Sequence, residues 1–465
     1  MYFPVDLDLK EKFKKSGILP GTKIAVLCSN SEEYVKLLVQ LIFTGIVVVP
    51  VSKVMPVSKV HSALRNIGCF KIIVGENINY RDDELIKSFP FEFFHKELNK
   101  ADLKKMTNGF DIDKSYGSLD RYASIIFTSG STNTPKAVLH TFSNHWFSAK
   151  GSNNNIIFKN GDCWMIDLPL SHVSGFSTIF KALAGKSDIY VKPSGMTILE
   201  AFKANSDITH ISLIPSQLSE LLSNLSAIEI LRKLKAVLIG GSPVSFNLIE
   251  KAKTIGLNIY NSYGSTEMSS QITCSAKNDS LKHLKTSGKL LKYREIKISN
   301  ENEILVKGNT LFSGYVKKGK SKNIEVFNMI DKEGWFKTGD LGFLDDEGYL
   351  NVSGRKDLMF VCNGENIFPE EIEDALKDIK EIEDAVVVPV GENKEEQRPA
   401  AFLKNRNNLK PDYPAIKSSL LKKLECYKVP EIYLEWPDDL SRNILKYDRA
   451  NFKKRAIDLI RNNRQ

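Results

Sequence analysis

Short apolar runs alternate with longer segments whose apolar residues recur at helical spacing through the first three quarters of the chain. The short runs predict buried β-strands at residues 23–27, 46–51, 71–74 and 236–239. Helices are predicted at residues 32–43 and 215–225, the second with a proline in its first turn. This alternation predicts layered α/β architecture with a largely parallel sheet.

From about residue 297 the pattern changes to short strand-like runs separated by glycine-containing turns. The sequence Asp345-Asp346-Glu347-Gly348 is typical of a hairpin turn, so residues 297–352 predict a small β-rich subdomain. After Arg355 we predict a strand at 384–390, a helix at 413–424 and a terminal helix from Ala450.

The expected fold class is therefore α/β. A large N-terminal domain of layered α/β subdomains plus a β-rich subdomain would be followed by a small α+β C-terminal domain. We place these domains at residues 1–354 and 355–465. The length of 465 residues supports the division, because single cores rarely grow beyond about 250–300 residues.

The composition is that of an ordinary globular protein, with 42% hydrophobic and 26% charged residues. The most apolar stretch, residues 34–51, is interrupted by Lys36, Gln40, Gly45 and Pro50. It therefore predicts a buried helix followed by a buried strand and no membrane span. The six cysteines of the chain show neither a C-x-x-C pair nor zinc-ligand spacing, which predicts reduced thiols and a cytoplasmic location.

The N-terminus and the net charge bear on targeting and partners. Residues 1–6 show no basic stretch followed by an apolar run, so no secretory signal is expected. The net charge of +9 leaves nucleic-acid binding as an alternative, which we disfavour because the lysines are dispersed among acidic residues. Anionic small molecules fit the charge equally well.

The segment from Ile125 to Lys136 reads as a strand that runs into a loop rich in hydroxyl groups and ends at a lysine. Closely spaced amides, hydroxyls and an ammonium are the donors that phosphate groups need. The G-x-x-x-x-G-K-[ST] spacing of P-loop NTPases is absent. Taken alone, a loop of this composition is more often a polar turn than a phosphate site.

Three further segments follow in order: Asn261-Ser262-Tyr263-Gly264-Ser265-Thr266-Glu267, Gly334-Trp335-Phe336-Lys337-Thr338-Gly339-Asp340, and Gly354-Arg355-Lys356-Asp357 with the stretch 363–373. Together with the loop they resemble the adenylate-forming superfamily, which includes acyl- and aryl-CoA ligases, peptide-synthetase adenylation domains and firefly luciferase. The resemblance spans nearly the whole chain and implies a large N-terminal domain followed by a small mobile C-terminal domain. It implies an enzyme that uses ATP, Mg²⁺ and coenzyme A.

The resemblance also implies roles for particular residues. ATP or AMP would be bound by Thr128, Ser129, Gly130, Ser131, Thr132, Lys136, Gly240, Gly241, Ser242, Tyr263, Thr266, Asp340 and Arg355. Tyr263 would stack on adenine, and Asp340 with Arg355 would contact ribose or phosphate. Glu267 would bind Mg²⁺, a hard cation that prefers oxygen ligands.

Catalysis and domain motion are assigned in the same way. Thr266 and Glu267 would act with Lys446, which would stabilise charge that develops at the α-phosphate. Asp357 would be the hinge, and Gly364 would approach the pantetheine arm of coenzyme A. The chain departs from the family at Asn133 and Leu445, where glycine is usual. Leucine does not adopt positive φ readily, so the approach of Lys446 is expected to differ.

The segments 168–176, 210–218 and 267–273 look like the o-succinylbenzoate–CoA ligases of menaquinone synthesis. The acyl substrate would then lie against His172, Ser216, Gln217, Ser269 and Ser270. Its second carboxylate would need donors, which Ser269, Ser270, Gln271 and Thr273 would supply without a buried arginine. A packed core histidine is the alternative interpretation of His172.

Three alternatives stay open at this point. A general aryl or medium-chain acid–CoA ligase would share the nucleotide residues and differ only in the acyl pocket. A catalytically silent nucleotide-binding protein is the non-enzymatic alternative, which Asn133 and Leu445 motivate. A homodimer is also left open, while no nucleic-acid partner is expected.

Overall fold

A computed structural model describes residues 7–100, 119–128, 135–319, 324–362, 364–391, 397–406, 411–437 and 447–462. Within these ranges the strands form five sheets, of eight, seven, four, three and two strands. The two largest sheets and the helices around them make up the first two thirds of the chain. The described ranges contain no helix that combines the length and the apolar composition needed to cross a bilayer.

The eight-stranded sheet has the order β17-β16-β6-β5-β2-β1-β3-β4, and its last five strands are mutually parallel. Its strands are β1 (Lys23–Leu27), β2 (Val47–Val51), β3 (Lys71–Val74), β4 (Lys87–Pro90), β5 (Tyr122–Thr128), β6 (Lys136–Thr141), β16 (Gly314–Lys318) and β17 (Ile324–Phe327). The neighbouring helices are α1 (Leu7–Lys15), α2 (Glu32–Phe43), α3 (Val57–Asn66) and α4 (Glu92–Lys100). Both faces of the central strands β1 and β2 are buried, which explains their nearly continuous apolar sequences.

The seven-stranded sheet has the order β13-β12-β11-β10-β9-β7-β8, and the run from β11 to β8 is parallel. Its strands are β7 (Cys163–Ile166), β8 (Asp188–Val191), β9 (His210–Leu213), β10 (Ala236–Ile239), β11 (Ile259–Ser265), β12 (Ser270–Cys274) and β13 (Lys289–Leu290). Its helices are α5 (Phe142–Asn155), α6 (Val173–Gly185), α7 (Ile198–Ala204), α8 (Pro215–Leu221), α9 (Leu225–Leu231), α10 (Phe246–Thr254) and α11 (Leu281–Leu284).

Helices α5 and α6 lie between the two large sheets. Their residues Phe142 and Phe180 share an apolar cluster with Val26 of the first sheet, while Ala182 of α6 packs with Trp164 of the second. Thr141 starts α5, because its hydroxyl accepts the backbone N–H of Asn144. The predicted layered α/β architecture is confirmed.

The β-rich subdomain is an antiparallel sheet in the order β14-β15-β18-β19, and a two-stranded hairpin follows it. These strands are β14 (Arg294–Ile298), β15 (Glu303–Gly308), β18 (Phe336–Leu344), β19 (Leu350–Arg355), β20 (Phe360–Cys362) and β21 (Glu365–Ile367). The carboxylate of Asp345 accepts the backbone N–H groups of Glu347 and Tyr349, which closes the predicted turn between β18 and β19.

The last part of the chain has cores of its own, formed by residues 360–460. Its further elements are α12 (Pro369–Lys377), β22 (Ile382–Val390), β23 (Arg398–Asn405), α13 (Tyr413–Leu420), β24 (Ile432–Glu435) and α14 (Arg449–Asn462). Arg449 anchors the start of α14 through two contacts of 2.6 and 2.7 Å with the Glu373 carboxylate. This small α+β unit agrees with the predicted fold class.

Two predicted helices were too long. The segment 215–225 is one helix that ends at Leu221 and a second that starts at Leu225. Asn224 causes the restart, because its side chain accepts the N–H of Ala227. The helix predicted at 413–424 ends at Leu420.

Candidate active site

The carboxyl ends of the parallel strands in the seven-stranded sheet gather residues that are distant in sequence. Gly240 directly follows β10, Tyr263 lies near the end of β11, and Gln217 follows β9 by one turn of helix. His172 precedes α6, in the connection that leaves β7. Ligands of open α/β sheets bind outside this edge, so the fold places these four predicted residues on the side of the sheet where a ligand would bind.

Tyr263, Asp340 and Arg355 form a hydrogen-bonded cluster at this edge. The Tyr263 hydroxyl donates to Asp340 Oδ2 at 2.6 Å, and Arg355 Nη1 donates to Asp340 Oδ1 at 3.2 Å. Asp340 and Arg355 are direct partners across β18 and β19. Burial and the neighbouring Asp340 carboxylate together raise the pKa of Tyr263 well above its usual value. The phenol therefore stays a hydrogen-bond donor.

The Arg355 guanidinium also contacts Asp357, the predicted hinge. Its Nε donates to Asp357 Oδ1 at 3.0 Å and its Nη2 to Oδ2 at 3.3 Å. Both side chains are about two-fifths exposed, so the pair contributes little to stability. One arginine thus joins the predicted ribose ligand to the predicted hinge.

The bend between β11 and β12 depends on Gly264. A Cβ on this residue would collide with the backbone carbonyl of Ser270. The bend continues through Ser269 and Ser270, whose φ values of +56° and +129° are unusual for residues with side chains. This conformation brings Thr266 and Glu267, in a 3₁₀ turn over Thr266–Met268, to the edge of the sheet.

Two residues that sequence reasoning missed hold this turn. His140 Nε2 lies 2.7 Å from the carbonyl oxygen of Thr266, and the Tyr315 hydroxyl donates to Glu267 Oε1 at 2.7 Å. Burial lowers the pKa of His140 to about 4, so the ring is neutral at pH 7. His140 continues the alternation of β6 from Lys136, which is the signal that could have identified it.

The donor set around Glu267 suits a magnesium ion that is shared with phosphate. Among the described residues there is no group of three or more His, Cys, Asp or Glu side chains that could hold a metal by themselves. Mg²⁺ usually takes one or two protein carboxylates plus substrate phosphates and water. Glu267 is half-buried, and one of its oxygens is already bound by Tyr315. The residues present therefore fit Mg²⁺ bound with ATP.

The predicted acyl residues do not share one environment. His172 is half-buried at the start of α6, which does not favour a packed core histidine. Ser270 Oγ lies 3.3 Å from Ser177 Oγ of α6, whereas the hydroxyl of fully buried Ser269 donates to the carbonyl of Thr310. Gln217 Nε2 donates to Asp167 Oδ2 at 2.6 Å, and Ser216 is half-buried beside it.

Beyond Ser177, the interior between α6 and β12 contains two buried cations. Lys181 is 2% exposed and Arg294 is 5% exposed. In the described parts of the chain neither forms an ion pair with a carboxylate. The expectation that serine, glutamine and threonine donors serve the acid without a buried arginine stays a prediction. Arg294 directs its donors mainly to the backbone carbonyls of Gln271, Lys292 and Ser148.

Lys181 is the less satisfied of the two cations. Its ammonium lies 4.3 Å from the centre of the Trp164 ring, and burial lowers its pKa to about 7. Nearby, Ser174 Oγ and Gln271 Nε2 are buried and have no hydrogen-bond partner among the described residues. Buried donors without partners are costly, so this interior is suited to an anionic ligand group.

A cleft of about 340 Å³ continues along the same edge. It is lined from both large sheets, by Lys53 after β2 and by Asp167, Lys192 and Gln217 from the second sheet. Lys192 pairs with Asp167 at 3.1 Å. Gln217 therefore belongs to the wall of this cleft.

The structure does not describe every predicted residue. Ser129, Gly130, Ser131, Thr132 and Asn133 lie outside the described residues, as do Leu445 and Lys446. Thr128 and Lys136, which flank the first group, are direct partners across β5 and β6. Exposed Gly241 and Ser242 follow Gly240, and exposed Gly364, with φ +84°, stands between β20 and β21.

Two mixed sheets share a polar cleft at the carboxyl ends of their parallel strands, and a small α+β unit follows them. This arrangement defines the class of two-domain, nucleotide-binding α/β enzymes. Within that class the chain belongs to the AMP-binding enzyme family, whose model matches residues 12–316. The superfamily resemblance read from the sequence is thereby confirmed.

Curated relatives and solved structures agree on a subgroup. The 2-succinylbenzoate–CoA ligase of Oceanobacillus iheyensis is 32% identical over 451 residues, covering 94% of this chain and 90% of the relative. The o-succinylbenzoate CoA synthetase (MenE) of Bacillus subtilis, in complex with the acyl-adenylate intermediate OSB-AMP, superposes with a TM-score of 0.81 at 26% identity, over 97% of this chain and 92% of that one. The complex of the same enzyme with ATP and magnesium ion superposes with a TM-score of 0.80 at 27% identity, over 96% of this chain and 92% of that one.

Proposed function

We propose that the protein is an ATP-dependent o-succinylbenzoate–CoA ligase, which forms an acyl-adenylate and then an acyl-CoA thioester. The observation that carries the choice of acid is the buried, carboxylate-free interior around Lys181. The names of the relatives support the same substrate. A dicarboxylic acid needs a counter-charge for the carboxylate that does not react, and this interior offers one.

In the first half-reaction an oxygen of the acid carboxylate attacks the α-phosphorus, and the bond to the pyrophosphate oxygen breaks. Tyr263 and Asp340 hold the nucleoside, and Thr266 contacts phosphate. When bound at Glu267, Mg²⁺ offsets the negative charge on the phosphates and on the departing pyrophosphate. Lys446 is proposed, by resemblance, to stabilise the charge at the α-phosphate.

In the second half-reaction the thiol of coenzyme A loses its proton and its sulfur bonds to the acyl carbon, and AMP leaves with the bonding electrons. We propose that residues 355–465 turn about Asp357 between the two steps, so that Gly364 reaches the pantetheine arm. The separate cores of residues 360–460 support the boundary at 354/355. A single cleft then serves both reactions.

The second carboxylate of the substrate is proposed to lie near Lys181. Ser177 and Lys181 lie one turn apart on α6, and Ser177 contacts Ser270 of β12. Ser270 and Lys181 are thus linked through Ser177, and His172 lies at the start of the same helix. An apolar acid would leave the ammonium without a partner, which favours a dicarboxylate over the medium-chain alternative.

The location and the assembly are proposed separately. ATP and coenzyme A as co-substrates support a cytoplasmic location, and so does the scattered spacing of the six cysteines. A homodimer is retained as a proposal that the mass of the purified protein in solution would test.

The deciding experiment is pyrophosphate release by purified protein with Mg-ATP and coenzyme A. The acids compared are o-succinylbenzoate, benzoate, coumarate and octanoate, with Lys446→Ala as the inactive control. A preference for o-succinylbenzoate of at least about 100-fold in kcat/KM is expected. Preference for another acid would overturn the substrate, and no reaction with any acid would favour the silent nucleotide-binding protein.

A further inference from the structure

Strands β6 and β16 present one face to the turn that contains Glu267. Side chains of a strand alternate between faces, so Lys136, Val138 and His140 share a face of β6. The register places Tyr315 of β16 directly opposite Val138, on that same face. Val138 packs in one apolar cluster with Met268, the last residue of the 3₁₀ turn. This face of β6 and β16 therefore packs against the 3₁₀ turn.

Tyr315 is held firmly on this face. Its ring packs edge-on against Phe312, with ring centres 4.9 Å apart. Phe312 in turn donates its backbone N–H to the carbonyl oxygen of Glu267 at 2.8 Å. The Lys136 ammonium lies 5.2 Å from the centre of the Tyr315 ring on the outer side. The phenol therefore has a defined position relative to Glu267.

The hydroxyl of Tyr315 is directed to one oxygen of that carboxylate. It donates to Glu267 Oε1 at 2.7 Å, the only direction open to it because an ionised carboxylate is an acceptor. No other hydrogen bond to this carboxylate occurs among the described residues. One oxygen is thus oriented by the phenol, and the other is left for a ligand.

We propose that Tyr315 is a positioning residue for the metal-binding carboxylate, fixing Glu267 in the orientation that binds Mg²⁺ together with ATP. The inference rests on the proposed function only through the assignment of Glu267 as the magnesium ligand. Groups that hydrogen-bond to metal ligands set their orientation, and losing one typically costs about 10–100-fold in metal affinity.

The test measures ATP binding by calorimetry, with Mg²⁺ and with EDTA, in the absence of any acid. Tyr315→Phe removes only the hydroxyl and keeps the ring between Phe312 and Lys136. We expect the gain in ATP affinity that Mg²⁺ provides to fall at least about 10-fold, while binding in EDTA stays at the wild-type value. Tyr34→Phe is the matched control, because it removes a buried hydroxyl that donates to the Val26 carbonyl, within the first sheet and its helices.

A second comparison separates positioning from a general loss of structure. If Tyr315 acts through Glu267, the double variant with Glu267→Gln loses no more Mg²⁺ dependence than Glu267→Gln alone. Additive losses, or a Tyr315→Phe variant with the full wild-type gain, would overturn the inference and leave the ligase proposal intact. A wild-type protein without any Mg²⁺ gain would overturn the metal assignment of Glu267 and the inference with it.

Discussion

The proposed nucleotide edge, around Asp340 and Glu267, and the proposed acyl interior, around Lys181 and Arg294, carry opposite charges. At the edge the protein supplies the carboxylates Asp340 and Glu267, each already bound by a phenol. In the interior it supplies the cations Lys181 and Arg294, and no carboxylate of the described residues pairs with either. The carboxylates of the first region are suited to ligand hydroxyl groups and a metal ion, and the cations of the second are suited to an anion.

The two regions differ in how many of their polar side chains already have hydrogen-bond partners before a ligand binds. Asp340 contacts Tyr263 and Arg355 at 2.6 and 3.2 Å, so the edge is organised in advance. The interior keeps Lys181 at a pKa of about 7 and leaves Ser174 and Gln271 with unpaired donors. Preorganisation favours the transition state of adenylation, whereas an unsatisfied interior selects among acids.

The largest expected effect comes from the edge. Glu267→Gln should lower kcat/KM for acid-dependent pyrophosphate release about 1000-fold, because the neutral amide no longer holds the metal against the phosphates. Glu347→Gln, an exposed carboxylate that pairs with Lys282, is the control and should keep wild-type activity. Full activity in Glu267→Gln would show that the edge does not depend on its own carboxylate.

Substitutions in the interior should change which acid the enzyme prefers. Lys181→Met keeps the length of the side chain and removes its charge, so KM for o-succinylbenzoate should rise about 10–100-fold with little change for benzoate. Lys181→Arg, which keeps the charge, should recover part of the affinity. If both acids lose equally, Lys181 is not the anchor of the second carboxylate.

The same substitution should change the pH dependence of stability. Lys181 has a pKa of about 7 when folded and 10.5 as its ordinary value. Between these values the unfolded chain binds more protons, so the stability of the wild type rises with pH in that window. Lys181→Met should therefore be more stable by a few kcal/mol at pH 6, an advantage that shrinks towards pH 10. Urea unfolding at several pH values measures it, and a pH-independent difference would contradict the buried charge.

The smallest expected effect is at the phenol of the nucleotide edge. Tyr263→Phe keeps the ring but removes its donation to Asp340, so KM for ATP should rise about 3–10-fold. Asp340 retains Arg355, which limits the loss. A change of 100-fold or more would mean that Tyr263, and not the arginine, fixes the aspartate.

The sequence predicted those parts of the fold that depend on local pattern. The strands at 23–27, 71–74 and 236–239 and the helix at 32–43 were confirmed, because continuous apolar runs are dictated by burial between layers. The helix predicted at 215–225 was too long, because the first helix ends at Leu221 and Asn224 caps the start of a second one.

The acyl interior was not predictable in the same way. Lysine and arginine are almost always exposed, so nothing local indicates that Lys181 and Arg294 are buried. Their burial follows from how α6 packs on β12, nearly a hundred residues away in sequence. Tyr315 and His140 were missed for the same reason, because their contacts with Glu267 and Thr266 exist only once two sheets meet.

Gly264 has a consequence for how mutational data on this protein should be interpreted. Any side chain there would collide with the Ser270 carbonyl and displace the Thr266–Met268 turn. In a saturation screen this position would tolerate no substitution, like a reacting residue, although it has no side chain to offer a substrate. Intolerance to substitution at this bend therefore measures backbone space and not chemistry.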